Sequence, residues 1–101
     1  MAFTPFDLTG KVAVVTGGNG GIGLGMAQGL AAAGADIAIW GRNAQKNADA
    51  LEALKTHGTR VEALEVDVAD ENAVVDAMAE SLARLGRIDT CIANAGVGGG
   101  A

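Results

Sequence analysis

The amino-acid sequence predicts an α/β fold: a parallel sheet of four strands in the order 3-2-1-4, the first half of a doubly wound architecture. Three observations predict it. Four short runs rich in Val, Ile and Ala alternate with segments whose apolar residues recur at helical spacing. Each helix-like segment lies between two strand-like ones, so consecutive strands run parallel and are joined by right-handed crossovers. A glycine cluster, Gly17-Gly18-Asn19-Gly20-Gly21-Ile22-Gly23, stands where the first strand gives way to the first helix.

The elements follow in order. Residues 1–10 read as a leader with the only proline, Pro5, and both phenylalanines, Phe3 and Phe6, expected to pack against the rim of the sheet. Residues 11–16 form the first strand, carried by Val12, Val14 and Val15. A helix over residues 21–33 places Ile22, Met26, Ala27, Leu30 and Ala31 at helical spacing, and Gly34 ends it as a C-terminal glycine. Gly25 and Gly29 inside that helix cost about 1 kcal/mol each relative to alanine, and a close helix–strand approach would explain them. Residues 36–40 form the second strand. Asn43 is positioned to cap a second helix running to about residue 56, with Ala44, Ala48, Leu51 and Leu54 on its apolar face. His57-Gly58 closes it, His57 complementing the helix dipole. The third strand spans residues 61–68, and Arg60, Glu62 and Glu65 suit a sheet edge. Asp70 caps a third helix whose apolar Val74, Ala77, Met78, Leu82 and Leu85 precede Gly86. Residues 88–93 are the fourth strand, and residues 97–101 a glycine-rich tail.

Composition narrows the function classes. A chain of 101 residues is one small domain at most. The net charge is −5 and the seven Lys and Arg form no cluster, which argues against a nucleic-acid surface. Cys91, the only cysteine, permits no internal disulfide, and its apolar surroundings read as a buried small hydrophobe. No basic-then-apolar leader and no apolar run of membrane-spanning length occurs, so a cytoplasmic protein with no membrane partner is expected.

The glycine cluster carries the chemistry. Gly18, Gly20 and Gly23 satisfy G-x-G-x-x-G between a strand and a helix, the setting in which a dinucleotide pyrophosphate sits on free N–H groups at a helix N-terminus. Ligands of open parallel sheets lie outside the carboxyl ends of the strands, at the switch point between strands 1 and 4. Those ends supply Thr16-Gly17, Trp40-Gly41-Arg42, Asp67-Val68 and Asn94-Ala95-Gly96, so the candidate motifs converge on one edge.

Three of these motifs also carry a resemblance. Thr16-Gly17-x-x-x-Gly21-Ile22-Gly23 resembles the cofactor turn of the short-chain dehydrogenase/reductase family, and Asp67-Val68 and Ala93-Asn94-Ala95-Gly96 resemble two further motifs of it. The resemblance implies a Rossmann-type half-domain over residues 11–96 that binds NAD or NADP. It implies that Asp67 accepts the adenine amine, with strand termination in a turn as the bland alternative, and that Val68 adds backbone contact to the ring. Asn94 resembles the asparagine that ties neighbouring strands beside the cofactor, either as a structural residue or as a ligand contact, and Gly96 would let the ribose approach. Ala93 stands where the commoner form of that motif has asparagine. The expected cofactor-binding set is Gly17, Asn19, Gly20, Gly21, Ile22 and Gly23, then Gly41, Arg42 and Asn43, then Asp67 and Val68, and finally Asn94, Ala95 and Gly96.

Cofactor choice turns on the end of strand 2. A carboxylate there would bind the ribose 2′-hydroxyl of NAD, whereas an Arg accommodates the 2′-phosphate of NADP. Residues 37–43 hold no carboxylate; Gly41 would leave room for the phosphate and Arg42 offers a charged fork, so NADP is favoured over NAD. Against NADP, the turn Gly18-Asn19-Gly20 carries no second basic residue, and Arg42 could be a solvated loop residue. A methyltransferase using S-adenosylmethionine is a minor rival, and a non-catalytic dinucleotide-binding module or truncated product a larger one.

The family's hydride transfer, as the resemblance implies it, uses a tyrosine, a lysine four residues later and a serine; this chain contains no tyrosine. No catalytic and no metal-binding residue is therefore expected within it, and alone it is expected to be inert. A homo-oligomer is expected for a full-length parent. The isolated chain is expected to self-associate, because one helix cannot cover the second face of four strands and strand 4 is left as an apolar edge.

Overall fold

The computed structural model describes residues 7–94. The elements are β1 (Val12–Thr16), α1 (Gly21–Ala32), β2 (Asp36–Gly41), α2 (Ala44–Lys55), β3 (Val61–Glu65), α3 (Glu71–Leu85) and β4 (Thr90–Ala93). All three pairings are parallel and the strand order is β3-β2-β1-β4, as the alternation predicts. The central strand is β1, in which Val14 lies between Ala38 of β2 and Cys91 of β4. It is buried along its whole length.

Period-2 alternation sends the strand side chains to two apolar layers. Ala13, Val15, Ile37 and Ile39 meet Ala27 and Ala31 of α1 and Ala50 and Leu54 of α2 on one face. Val12, Val14, Ala38 and Trp40 meet Ala77 and Leu85 of α3 on the other. Burying one such Val, Leu or Ile contributes about 1.5–3 kcal/mol. The helix signals hold at atomic level. The Asn43 carboxamide accepts the Lys46 N–H at 2.9 Å, and Asp70 accepts those of Asn72 and Ala73 at 2.9 and 3.1 Å. Gly86 ends α3 at φ +86°, a left-handed conformation.

Several expectations about faces and ends are corrected. The third strand stops at Glu65, because the Asp67 carboxylate accepts the Ala69 N–H at 2.9 Å and turns the chain. The fourth starts at Thr90. Helix α1 buries Gly23, Ala27 and Ala31, leaving Ile22 76 % exposed. The expected close approach at Gly25 and Gly29 is not there, since an added Cβ at either would meet nothing within 4 Å. Helix α2 buries Asn47 with Ala50 and Leu54, and Ala44 and Ala48 face solvent. In α3, Ser81 takes the core position and Leu82 is exposed, because the Trp40 indole N–H donates to the Ser81 hydroxyl at 3.1 Å. His57 lies beyond the α2 C-cap with its Nε2 3.0 Å from Gln28 Oε1, so it bridges α2 to α1.

Cys91 is also corrected: it is exposed, because β4 is the sheet edge and Cys91 joins neither apolar layer. At the opposite edge, Arg60, just before β3, pairs with Asp36 at 2.9 Å, and Glu62 of β3 pairs with Arg84 at 2.8 Å. The placements expected for Phe3, Phe6 and residues 95–101 lie outside the described residues. No described helix is long and apolar enough to cross a membrane.

Candidate cofactor site

The β1–α1 connection is built so that only glycine fits at its tightest points. Gly17 and Gly21 hold φ of +68° and +55°, where an L side chain costs about 1–2 kcal/mol. Close approaches fall at Gly18, where an added Cβ would lie 2.7 Å from Ile39 Cγ2, and at Gly23, where it would overlap the Gly17 carbonyl oxygen and lie 2.8 Å from Asn94 Nδ2. The Gly17 N–H donates to the Trp40 carbonyl at 2.8 Å, tying the loop to the end of β2. Gly20, at the N-cap of α1, is extended and offers no side-chain cap, and the first turn holds no acidic residue. The leading N–H groups of α1 therefore keep the positive end of the helix dipole uncompensated by side chains, an arrangement that accepts an anion.

Beside this loop a cleft of about 750 Å³ opens at the carboxyl ends of the strands. Its walls are Gly17 and Asn19 from the loop, residues 40–43 with Lys46 from the β2–α2 connection, and residues 66–69 after β3. The cleft thus brings together Gly17, Asn19, Gly41, Arg42, Asn43, Asp67 and Val68 of the expected set. Gly20, Gly21, Ile22 and Gly23 open α1 next to it and do not line it. Asn94 sits behind the loop at the end of β4. Its N–H donates to Thr16 Oγ1 at 2.9 Å, and the Thr16 hydroxyl reaches the Ile92 carbonyl at 3.4 Å, so this corner locks β1 to β4. Ala95 and Gly96 lie outside the described residues.

Charge in the cleft is distinctive. Lys55, Arg60, Arg84 and Arg87 each face a carboxylate, whereas Lys11, Arg42 and Lys46 form no ion pair among the described residues, and of these three only Arg42 and Lys46 line the cleft. In a chain with twelve acids and seven bases, these two cations stand free on the same wall. Asp67 uses one carboxylate oxygen on the Ala69 N–H within its turn. The Asn43 side chain is spent on capping α2. Gly41 lines the cleft, and the direction a side chain would take from its Cα is filled by two amides. An added Cβ would overlap Asn19 Nδ2 and lie 2.5 Å from Asn47 Oδ1.

Residues 11–101 match the short chain dehydrogenase family. The chain belongs to that family. Its members bind nicotinamide cofactors and are oxidoreductases, so the methyltransferase alternative falls. The chain is 42 % identical over 92 residues to the sorbose reductase of Candida albicans, covering 91 % of this chain and 33 % of that protein. It is 40 % identical to the gluconate 5-dehydrogenase of Gluconobacter oxydans, covering 91 % of this chain and 36 % of the relative. It superposes on the crystal structure of a hydroxysteroid dehydrogenase from Escherichia coli with a TM-score of 0.87 and 30 % identity, over 93 % of this chain and 40 % of that one. The chain therefore spans about a third of the length of the curated relatives it matches.

Two residues of the cleft region escape a sequence reading. Lys46 stands in the first turn of α2, four residues after Arg42 in the β2–α2 connection, and its place on the cleft wall follows from where that helix starts. Asn47 looks like a solvent-facing helix residue and is 5 % exposed.

Proposed function

We propose that residues 11–96 form the cofactor-binding portion of an oxidoreductase that moves hydride between a nicotinamide cofactor and a carbonyl or alcohol, with NADP preferred over NAD. The bound nicotinamide would supply the hydride chemistry; the residues of this chain bind and orient. The observation that carries the NADP preference is the pair of unpaired cations, Arg42 and Lys46, on a cleft wall whose β2 end has no carboxylate. The uncapped start of α1, at Gly20 and Gly21, suits the pyrophosphate, with Gly17 and Gly23 bringing the loop and helix close enough to present their N–H groups. Asp67 would take the adenine amine on the oxygen its turn leaves over, with Val68 against the ring. The backbone N–H of Asn94 holds the Thr16 corner, and its side chain, beside Gly23, would serve either as a structural residue or as a ligand contact. The 101 residues contain no tyrosine, so these residues alone supply no phenolic proton donor and are expected to catalyse no turnover.

Titration of NADP and NAD against the chain and its Arg42→Ala variant tests the reading. A hydrogen bond to a charged group contributes about 1.5–3 kcal/mol, so the variant should lose about ten- to hundredfold in NADP affinity. NAD affinity should stay within twofold (about 0.4 kcal/mol). Equal loss for both cofactors, or none, would reject the role of Arg42 at the 2′-phosphate.

A further inference from the structure

We infer that Asn47 and Asn19 form a clamp that positions the glycine loop for the cofactor, and that residue 41 is glycine in order to admit it. The inference rests on the cofactor reading above. Asn47 is buried, and its Nδ2 donates to two carbonyls, Gly41 at 3.0 Å on β2 and Leu64 at 3.2 Å on β3. Both amide hydrogens are thereby used, and a flipped amide would set its oxygen against two carbonyl oxygens. The orientation is forced, and Oδ1 is left pointing at the loop. There it accepts the Asn19 Nδ2–H at 3.0 Å. The loop is thus held twice: by its backbone, through the Gly17 N–H on Trp40, and by its side chain, through Asn19 on Asn47. Gly20 and Gly21 follow directly, so whatever fixes Asn19 also aims the N–H groups that open α1.

Gly41 lies beneath this contact. A methyl there would displace the Asn19 amide and crowd the Asn47 oxygen. The missing carboxylate at the end of β2 consequently has a packing cause: any side chain at residue 41 would open the clamp. Discrimination between cofactors falls instead to the neighbouring cations. Asn47 and Asn19 are positioning residues, and their effect should be blind to the 2′-phosphate.

The test is calorimetric titration of NADP and NAD into the 101-residue chain and its Asn19→Ala, Asn47→Ala, double and Gly41→Ala variants, with urea midpoints recorded beside each. Asn19→Ala should weaken both cofactors by the same factor, about two- to tenfold, the worth of one neutral hydrogen bond, with a fall in midpoint because Asn47 Oδ1 loses its donor. The double variant should bind no more weakly than Asn47→Ala, because both residues act through one bond. Gly41→Ala should weaken both cofactors in parallel. Unchanged affinity in Asn19→Ala overturns the clamp, as does a loss confined to NADP or fully additive losses; an intact Arg42 effect would then leave the cofactor reading standing. If Asn47→Ala fails to fold, the Asn19→Ala and Gly41→Ala arms decide. An unaltered chain that binds neither cofactor overturns the cofactor reading and the clamp together.

Discussion

Replacing Ser81 by alanine should reveal how the second face of the sheet is held. Ser81 is fully buried, and its hydroxyl accepts the Trp40 indole N–H at 3.1 Å beside a layer of Val12, Val14, Ala38, Val66, Ala77 and Leu85. The substitution removes one oxygen and leaves the shape almost unchanged, so the cavity contribution is small. What remains is a buried N–H with no partner, a loss of about 1–3 kcal/mol. With a urea slope of about 1–3 kcal/mol/M for a small domain, the midpoint should fall by about 1 M. Trp40 is the only tryptophan and the chain has no tyrosine, so its fluorescence reports this site alone. The titrations need one fixed chain concentration, because association would shift both curves. In a Trp40→Phe background, followed by circular dichroism, Ser81→Ala should cost less than about 0.5 kcal/mol, since the orphaned donor is gone. A Ser81→Ala chain within about 0.5 kcal/mol of the unaltered one would refute the argument that this bond is closed to water and needed.

The glycines of α1 should separate cleanly. Gly23→Ala, whose Cβ would overlap the Gly17 carbonyl, should abolish measurable NADP and NAD binding by calorimetry, whereas Gly25→Ala and Gly29→Ala, in open space, should each raise the urea midpoint through a gain of about 1 kcal/mol in helix propensity. Asp89 accepts from the Arg87 guanidinium at 2.7 Å and from the Val12 N–H at 2.8 Å, and these bonds hold its carboxyl below the ordinary aspartate value. Its contribution is present above the unfolded pKa of about 3.9 and lost as pH falls through the lower folded value, so the stability gap between the chain and Asp89→Asn should close in acid; an NMR titration of Asp89 checks the direction. Cys91, exposed on the β4 edge, should react with a thiol reagent in native buffer at nearly its unfolded rate in dilute monomer, and more slowly as rising concentration pairs the edge. The same edge should drive self-association in analytical ultracentrifugation, relieved by Cys91→Lys, and a monomeric unaltered chain would reject it.

The sequence by itself determined the strand–helix alternation, the parallel order 3-2-1-4, the caps at Asn43, Asp70 and Gly86, and the sheet edge at which the cleft opens. Each depends on residues a few positions apart or on the fixed hand of the crossovers, so each can be read locally. The rotation of the helices was decided only in three dimensions. Asn47 and Ser81 are polar, and periodicity assigns their places to Ala48 and Leu82; they turn inward because their partners, Leu64 and Trp40, lie 17 and 41 residues away in the chain. The glycines divide the same way. The turn was visible in its spacing, but which glycine answers a collision depends on what the fold brings beside it: Gly23 meets the Gly17 carbonyl, Gly41 meets the amides of Asn19 and Asn47, and Gly25 meets nothing. Whether a polar side chain is buried is settled by the hydrogen bonds waiting for it, and those come from distant elements that no local pattern encodes.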